Sequence, residues 1–450
     1  MTDQIKSQRW STRNRVRMLP VAAAAFAAPT ILRHTTRAQQ AQIRVSGWTS
    51  TGVEFDIFNQ IIADAQAALP EIAISYEPVP SDFSTKIQTD IAAGSAADVF
   101  YVDSLDAPDF MVNNALLALD GYMGEAGVTA DQFYPGLFQS FQLNGTTYGL
   151  PKDWSSLAMV YGTQALTDAG ITAAPTTWDE LRAAGQTLLD ATGEARICIP
   201  ADPAREFAFH YQAGAKVISD DGAAIQINSP EAQTALDFYY GLYRDGIATT
   251  PADSGAGWPG DALAKGLADI VFEGNWMFPF LKGPDGAADL EVGVAEMPAG
   301  PAGKATLAFT VSFSAYAQTQ YPEQAWQVLN YLTGEVGMAK WCSLGIAMPS
   351  RIALADAWAQ QFPERAPFIA GGDYARGWQL GVGGKAFYTD ASSELQGLFA
   401  GTLDVPTALT NMQSEAETRI QLTGSVQAAP SPDASPEASP AASPMATPSS

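Results

Sequence analysis

Ten tryptophans punctuate the 450 residues. Five fall where the chain turns rather than where it packs. Trp48, Trp154, Trp258 and Trp276 lie at strand ends or in loops, and Trp378 follows Ala375-Arg376-Gly377. An indole offers a flat apolar face and one N–H donor. Beside planar polar groups, such faces cover the C–H surface of a ring while the polar groups bond its hydroxyls. The polar candidates are Asp82, Asp103, Asp153, Asn275 and Arg351, with Thr49 next to Trp48 and Arg205 after a strand end. Each has a plainer reading. A rim tryptophan also packs one half of a protein on the other, and an acid at a helix start also caps backbone N–H groups. Asp153 adjoins Lys152 and is read equally as half of an ion pair between two lobes. Trp178, Trp326, Trp341 and Trp358 fall on helices at apolar spacing and are read as core.

Catalytic constellations are poorly supplied. The chain has two histidines, His34 and His210. No GxSxG elbow is present, so serine-histidine chemistry lacks a signature. A glycosidase needs only two carboxylates, and 48 acids guarantee some pair. No local pattern singles one out. Cys198 and Cys342 have neither zinc nor dithiol spacing. Gly381-Val382-Gly383-Gly384-Lys385 lacks phosphate-loop spacing and reads as a flexible loop. Tyr239-Tyr240, a conceivable ferric site, lie in an amphipathic helix and read as core. No catalytic residue, metal or cofactor is expected.

The elements that position these side chains are regular. Residues 43–48 form a β-rich run, 54–69 a helix with a 3.6-residue apolar period, and 72–76 a second strand. A helix over 83–93 and an apolar strand over 98–102 follow. Apolar strands alternating with helices indicate a parallel sheet covered on both faces. Ligands on such sheets sit at the carboxyl ends of the strands. That puts Trp48-Thr49, Ser81-Asp82 and Asp103-Ser104 on one rim. Further on, helices are expected at 178–191, 230–244 (capped by Ser229), 261–268 and 322–332. Strands are expected at 195–200, 290–295 and 307–316, and Ile270-Val271-Phe272 runs into Glu273-Gly274-Asn275-Trp276.

The ends differ from the body. A basic start is followed by an Ala-rich apolar run and then small residues, the order of an export signal over residues 1–38. The run is too short for a spanning helix. Thr12-Arg13-Asn14-Arg15 is similar to a twin-arginine signal interrupted by Asn14, so either that route or the general secretory route is expected. Cleavage would remove seven of 24 basic and one of 48 acidic side chains, leaving a formal charge of −30. So acidic a chain repels nucleic acid and anionic lipid. Residues 425–450 are Pro, Ala and Ser with two acids, a composition expected to stay disordered as a spacer, a glycan-bearing segment or a passive tail.

Several stretches in order carry a resemblance. They are KIQTDIAAGSAADVFYVDS (86–104), TYGLPKDWSSLAMVY (147–161), APTTWDEL (174–181), KGLADIVFEGNW (265–276), YPEQAWQVLNYL (321–332) and GIAMPSR (345–351). Together they resemble the extracellular solute-binding proteins of ABC importers, in the carbohydrate-binding, maltose-binding-protein-like branch. Ala97 stands where that family usually has Pro. The resemblance implies an α/β, two-lobed periplasmic-binding-protein-like clamp, each lobe a mixed, mainly parallel sheet flanked by helices. Lobe one would be residues 42–152 plus 312–346 and lobe two 153–311 plus 347–424, with hinge crossings near Pro151 and Thr310. It also implies an aromatic ligand contact at Trp276, a sugar as solute, a membrane permease as partner, and a monomer. A clamp for another solute such as a polyamine, and a secreted carbohydrate-active enzyme, are the alternatives. Cys198 and Cys342 would lie in different lobes, so two buried free thiols are expected rather than a disulfide.

Overall fold

A computed structural model of the chain describes residues 40–49 and 52–422. The expected export signal and the Pro/Ala/Ser tail lie outside the described residues.

The apolar opening folds as its periodicity requires. Strand β1 (Ala41–Trp48) pairs in parallel with β2 (Ile72–Val79) over its whole length and with β3 (Val99–Asp103). The crossovers are the helices Gly52–Ala68 and Phe83–Ala92. The first of them buries Phe58, Ile61, Ile62 and Ala65, the stripe set by its 3.6-residue period. A short hairpin, β4 (Gln142–Leu143) and β5 (Thr146–Thr147), leads into β6 (Gly149–Ser156). β7 (Ala158–Gly162), β8 (Ile197–Cys198), β9 (Ala248–Thr249), β10 (Ile270–Glu273) and β11 (Val292–Ala295) follow. β12 (Thr306–Ala315) and β13 (Ala375–Gly377) complete the set.

Two mixed sheets result. The first runs β13-β12-β3-β1-β2, with β6 also paired to β12. The second runs β11-β7-β10-β8-β9. Parallel pairing joins β1 to β2 and β3, β12 to β13, and β8 to β9 and β10. β12 lies antiparallel to both β3 and β6, and β7 antiparallel to β10 and β11. The chain steps from the first sheet to the second at Leu157, between β6 and β7. Pairing of β6 with β12 continues through Pro151 and Thr310 as far as Ser156 and Ala308. β13, from the segment expected in lobe two, adds to the first sheet beside β12.

Some local expectations shift. The strand expected over 195–200 is only Ile197–Cys198, because Pro200 cannot donate to a ladder. The helix expected over 261–268 runs Pro259–Ala264: Pro259 takes the first turn, and Gly266 at φ 66 ends the helical path. Trp178, Trp326, Trp341 and Trp358 are all buried, and Cys198 and Cys342 are buried free thiols.

β6 and β12 pack so closely that Gly149 has no room for a side chain. A Cβ there would come within 2.5 Å of the Ser312 and Ser314 hydroxyls. Gly149→Ala is expected to cost about 1–3 kcal/mol through overpacking, read as a lower urea midpoint. A midpoint equal to that of the parent would mean the two strands separate more easily than their packing implies.

The pairing slips by one residue beside Lys152: Val311 faces Asp153 and Ser312 faces Pro151. Neighbours on a regular strand point to opposite faces, and a bulge re-aims them. Here Lys152 and Asp153, 5% and 6% exposed, form an ion pair with each other. Lys152 Nζ also lies 4.3 Å from the Trp341 ring centroid and 4.7 Å from that of Tyr101. Trp341 Nε1 donates to Asp153 at 2.6 Å.

Candidate functional site

Trp48 ends β1, and its ring is held edge-on by Phe83 at 5.4 Å and Tyr101 at 5.0 Å. The three rings line a cavity of about 160 Å³. Asp103, at the end of β3, and Asp106, three residues on, supply its polar wall. Lys385 reaches it from the helix Gly384–Phe399, whose apolar face belongs to the second core. The cavity is therefore shared between elements of both cores. Burial, with the charge of Asp106 beside it, pushes the Asp103 carboxyl up to about 7, although its Oδ1 accepts from Leu105 N–H at 2.8 Å. Burial also raises Asp106, against the opposing pull of Lys385 and Ser84.

A second aromatic surface starts at Trp276, just after β10. Glu273, fully buried at the end of that strand, accepts from Trp276 Nε1 at 2.9 Å and from Arg205 Nη2 at 2.8 Å. Arg205 comes from the helix Pro203–Gln212, which Asp202 caps by accepting from Ala204 N–H. Its guanidinium lies 5.7 Å from the Trp276 ring. Trp276 meets Phe309 edge-on at 5.5 Å, Phe309 leads to Trp378 at 5.6 Å, and Trp378 to Tyr388 at 5.6 Å. The two surfaces are tied together at Ser104. Its N–H donates to Thr310 O at 3.1 Å and its Oγ to Trp378 O at 2.8 Å. Gln379 Nε2 donates back to Ser104 O.

The sequence-derived candidates divide accordingly. Trp48, Asp103, Arg205, Trp276 and Trp378 join these two surfaces, Trp378 mostly buried within its own. Thr49 is partly exposed beside Trp48, and Asp82 is exposed at φ 52 where the helix Phe83–Ala92 starts, its side chain capping nothing. The rest are held elsewhere. Trp154 is buried against Tyr134 and Gly372, since every residue of β6 is packed. Asp153 is enclosed with Lys152 and Trp341 on one side of β6, not shared between lobes as an interlobe pair. Asn275 is wholly buried, its N–H bonded to Ser155 Oγ. Trp258 lies over Gly260 and against Phe280. Arg351 is buried and donates to Thr333 O and Gln132 Oε1, clamping loops together. Sequence reading missed Asp106, Glu273, Phe309, Lys385 and Tyr388. Lys385, expected in a flexible loop, sits in the first turn of a helix. Tyr388 and Phe309 carry the apolar spacing of core residues, so only tertiary contacts single them out.

One turn beyond Arg205 lies a buried pair with no counterpart in catalysis. Glu206 and His210 are each 1% exposed, with Oε1 and Nδ1 4.0 Å apart. Burial pushes Glu206 up to about 8 and His210 down to about 4. The Glu206 value is raised on folding, so its contribution is whole at acid pH and is lost as pH rises toward 8. That of His210 is lowered, so its contribution is lost as pH falls toward 4. Glu206→Gln should flatten the decline of melting temperature between about pH 5 and pH 8. An unaltered slope would assign that decline to other groups.

Two mixed sheets joined through adjoining strands, with ligand-accessible aromatic and charged surfaces meeting at their junction, define a solute-binding protein of the periplasmic-binding-protein-like α/β fold. The chain belongs to the bacterial extracellular solute-binding protein family, whose model matches residues 49–339. A binding protein of Brucella abortus (strain 2308) is 28% identical over 322 residues, covering 69% of this chain and 76% of that protein. Among solved structures, an ABC substrate-binding protein of Listeria monocytogenes, in complex with cycloalternan, superposes with a TM-score of 0.77 at 20% identity. The match covers 84% of this chain and 99% of that one. The GacH receptor of Streptomyces glaucescens, solved unliganded and with acarbose, gives 0.77 at 20% identity, covering 84% and 98%. No helix among the described residues is long and apolar enough to cross a membrane. No cluster of three or more metal-ligating side chains occurs among them.

Proposed function

We propose that the protein captures a sugar or oligosaccharide outside the cytoplasmic membrane by hinge closure and delivers it to the permease of an ABC importer, without turning it over. The observation that carries this reading is the pair of aromatic surfaces, Trp48 with Tyr101 and Trp276 with Trp378 and Tyr388, each flanked by planar charged groups. Rings stacked on such faces and bonded at their edges favour a closed clamp, and only that differential affinity moves the equilibrium. In this reading lobe one is 42–152 plus 312–346 and lobe two 153–311 plus 347–424, with β6 and β12 as the hinge strands. Residues 1–38 direct export. The saccharides bound by the Listeria and Streptomyces proteins support the choice of solute class.

A screen of mono- and oligosaccharides, polyols and polyamines tests it. Tryptophan fluorescence should change and the melting temperature should rise with ligand concentration as linkage requires. Sugars that move neither signal while a polyamine moves both would replace the solute class. Product formation on incubation with an oligosaccharide would replace binding with catalysis.

A further inference from the structure

The cavity under Trp48 is more acidic than hydroxyl recognition requires. Asp106 is 5% exposed, and its two carboxylate oxygens differ. Oδ2 accepts from Ser84 Oγ at 3.0 Å, whereas Oδ1 accepts no hydrogen bond. The one cation recorded beside Oδ1 is Lys385 Nζ, at 3.5 Å. Asp103 stands on the same wall. Asp109, one turn on, uses Oδ1 to hold Gly383 N–H at 2.8 Å. Asp153, whose charge also reaches Asp103, is already paired with Lys152. One lysine thus faces two cavity carboxylates. A buried carboxylate oxygen without a donor is costly, and a desolvated cation on aromatic faces is favoured. The remaining walls are the rings of Trp48, Phe83, Tyr101 and Phe110. Aromatic walls closing on a carboxylate are the chemistry of an ammonium site, and about 160 Å³ suits one small ring or its substituent.

We propose that this cavity takes a protonated amine carried by the ligand, so that the solute class is an amino sugar with its ammonium on Asp106 Oδ1 and its ring against Trp48. The proposal rests on the sugar-binding reading above and narrows it. Asp103 and Asp106 repel one another when both are ionised, and a bound cation relieves that repulsion where a neutral hydroxyl does not. Binding should accordingly release protons near neutral pH.

The test is calorimetry on the mature protein with matched pairs: glucosamine, galactosamine and mannosamine against glucose, galactose and mannose, and chitobiose against cellobiose, at a pH where the amines are protonated. At least one amine should bind at least about tenfold more tightly than its neutral partner. In Asp106→Asn and Asp103→Asn, each checked for cooperative melting, that ratio should fall toward one. Neutral partners binding as tightly as the amines would overturn the amine site and leave the sugar reading standing. A preference that survives both substitutions would overturn its placement. If no saccharide binds but spermidine does, and Asp106→Asn weakens it, the sugar reading falls and the ammonium site stands. Silence from every compound would overturn both.

Discussion

Replacing Arg205 with Leu should lower the free energy of unfolding by about 3–5 kcal/mol, the usual consequence of leaving a buried charge without its partner. Glu273 is fully buried at the end of β10, and the Arg205 side chain is 15% exposed. Arg205 Nη2 reaches both Glu273 oxygens, at 2.8 and 3.1 Å, and Nε adds a contact at 3.2 Å. With the guanidinium gone, Trp276 Nε1–H remains as a donor to Glu273 but supplies no charge. The second half of the argument is the double variant. Arg205→Leu with Glu273→Leu removes both desolvated charges, and such replacements are often close to neutral. Urea unfolding followed by tryptophan fluorescence reads all three proteins. A single-variant cost under about 1 kcal/mol would show that water reaches the pair and screens it.

The same pair shows what the sequence could disclose and what it could not. Arg205 was legible as a residue beyond a strand end, but the ring and carboxylate it holds are about seventy positions away, and no local period links them. Trp48 and Asp103 were legible because a doubly wound opening puts strand ends on one rim whatever the side chains are. The helix Pro230–Arg244 was legible to the residue, since Ser229 caps it by accepting from Ala232 N–H and Pro230 fits the first turn. Trp154 and Asp153 misled for one reason: β6 is covered on both faces by β12 and the elements packed on them, and its bulge at Lys152 depends on that distant pairing. A strand read alone shows neither its second face nor its partner's register. Arg351 misled similarly, because a cation in a loop reads as exposed until the carbonyl of Thr333 closes on it.

Trp276→Ala should weaken ligand binding at least about tenfold, or about 1.4 kcal/mol, while the protein still melts cooperatively. The indole is only partly buried, at the open end of the Phe309–Trp378–Tyr388 series, so its loss exposes a surface rather than emptying a core. Glu273 loses one donor at 2.9 Å and keeps the guanidinium of Arg205, so its charge stays compensated. Trp276→Phe separates the two contributions, retaining a flat face without the N–H. If stacking on a ring provides the affinity, Phe should recover most of it and Ala none. If the N–H matters by fixing the tilt of the indole, Phe should resemble Ala. Gly274→Ala asks the same question from behind, since a Cβ at Gly274 would come within 2.2 Å of the Trp276 ring and must displace it. Titrations on the three variants should therefore rank them by how far the ring face is lost. Equal affinity in all three would place the ligand elsewhere, and the Trp48 cavity would then have to carry binding alone.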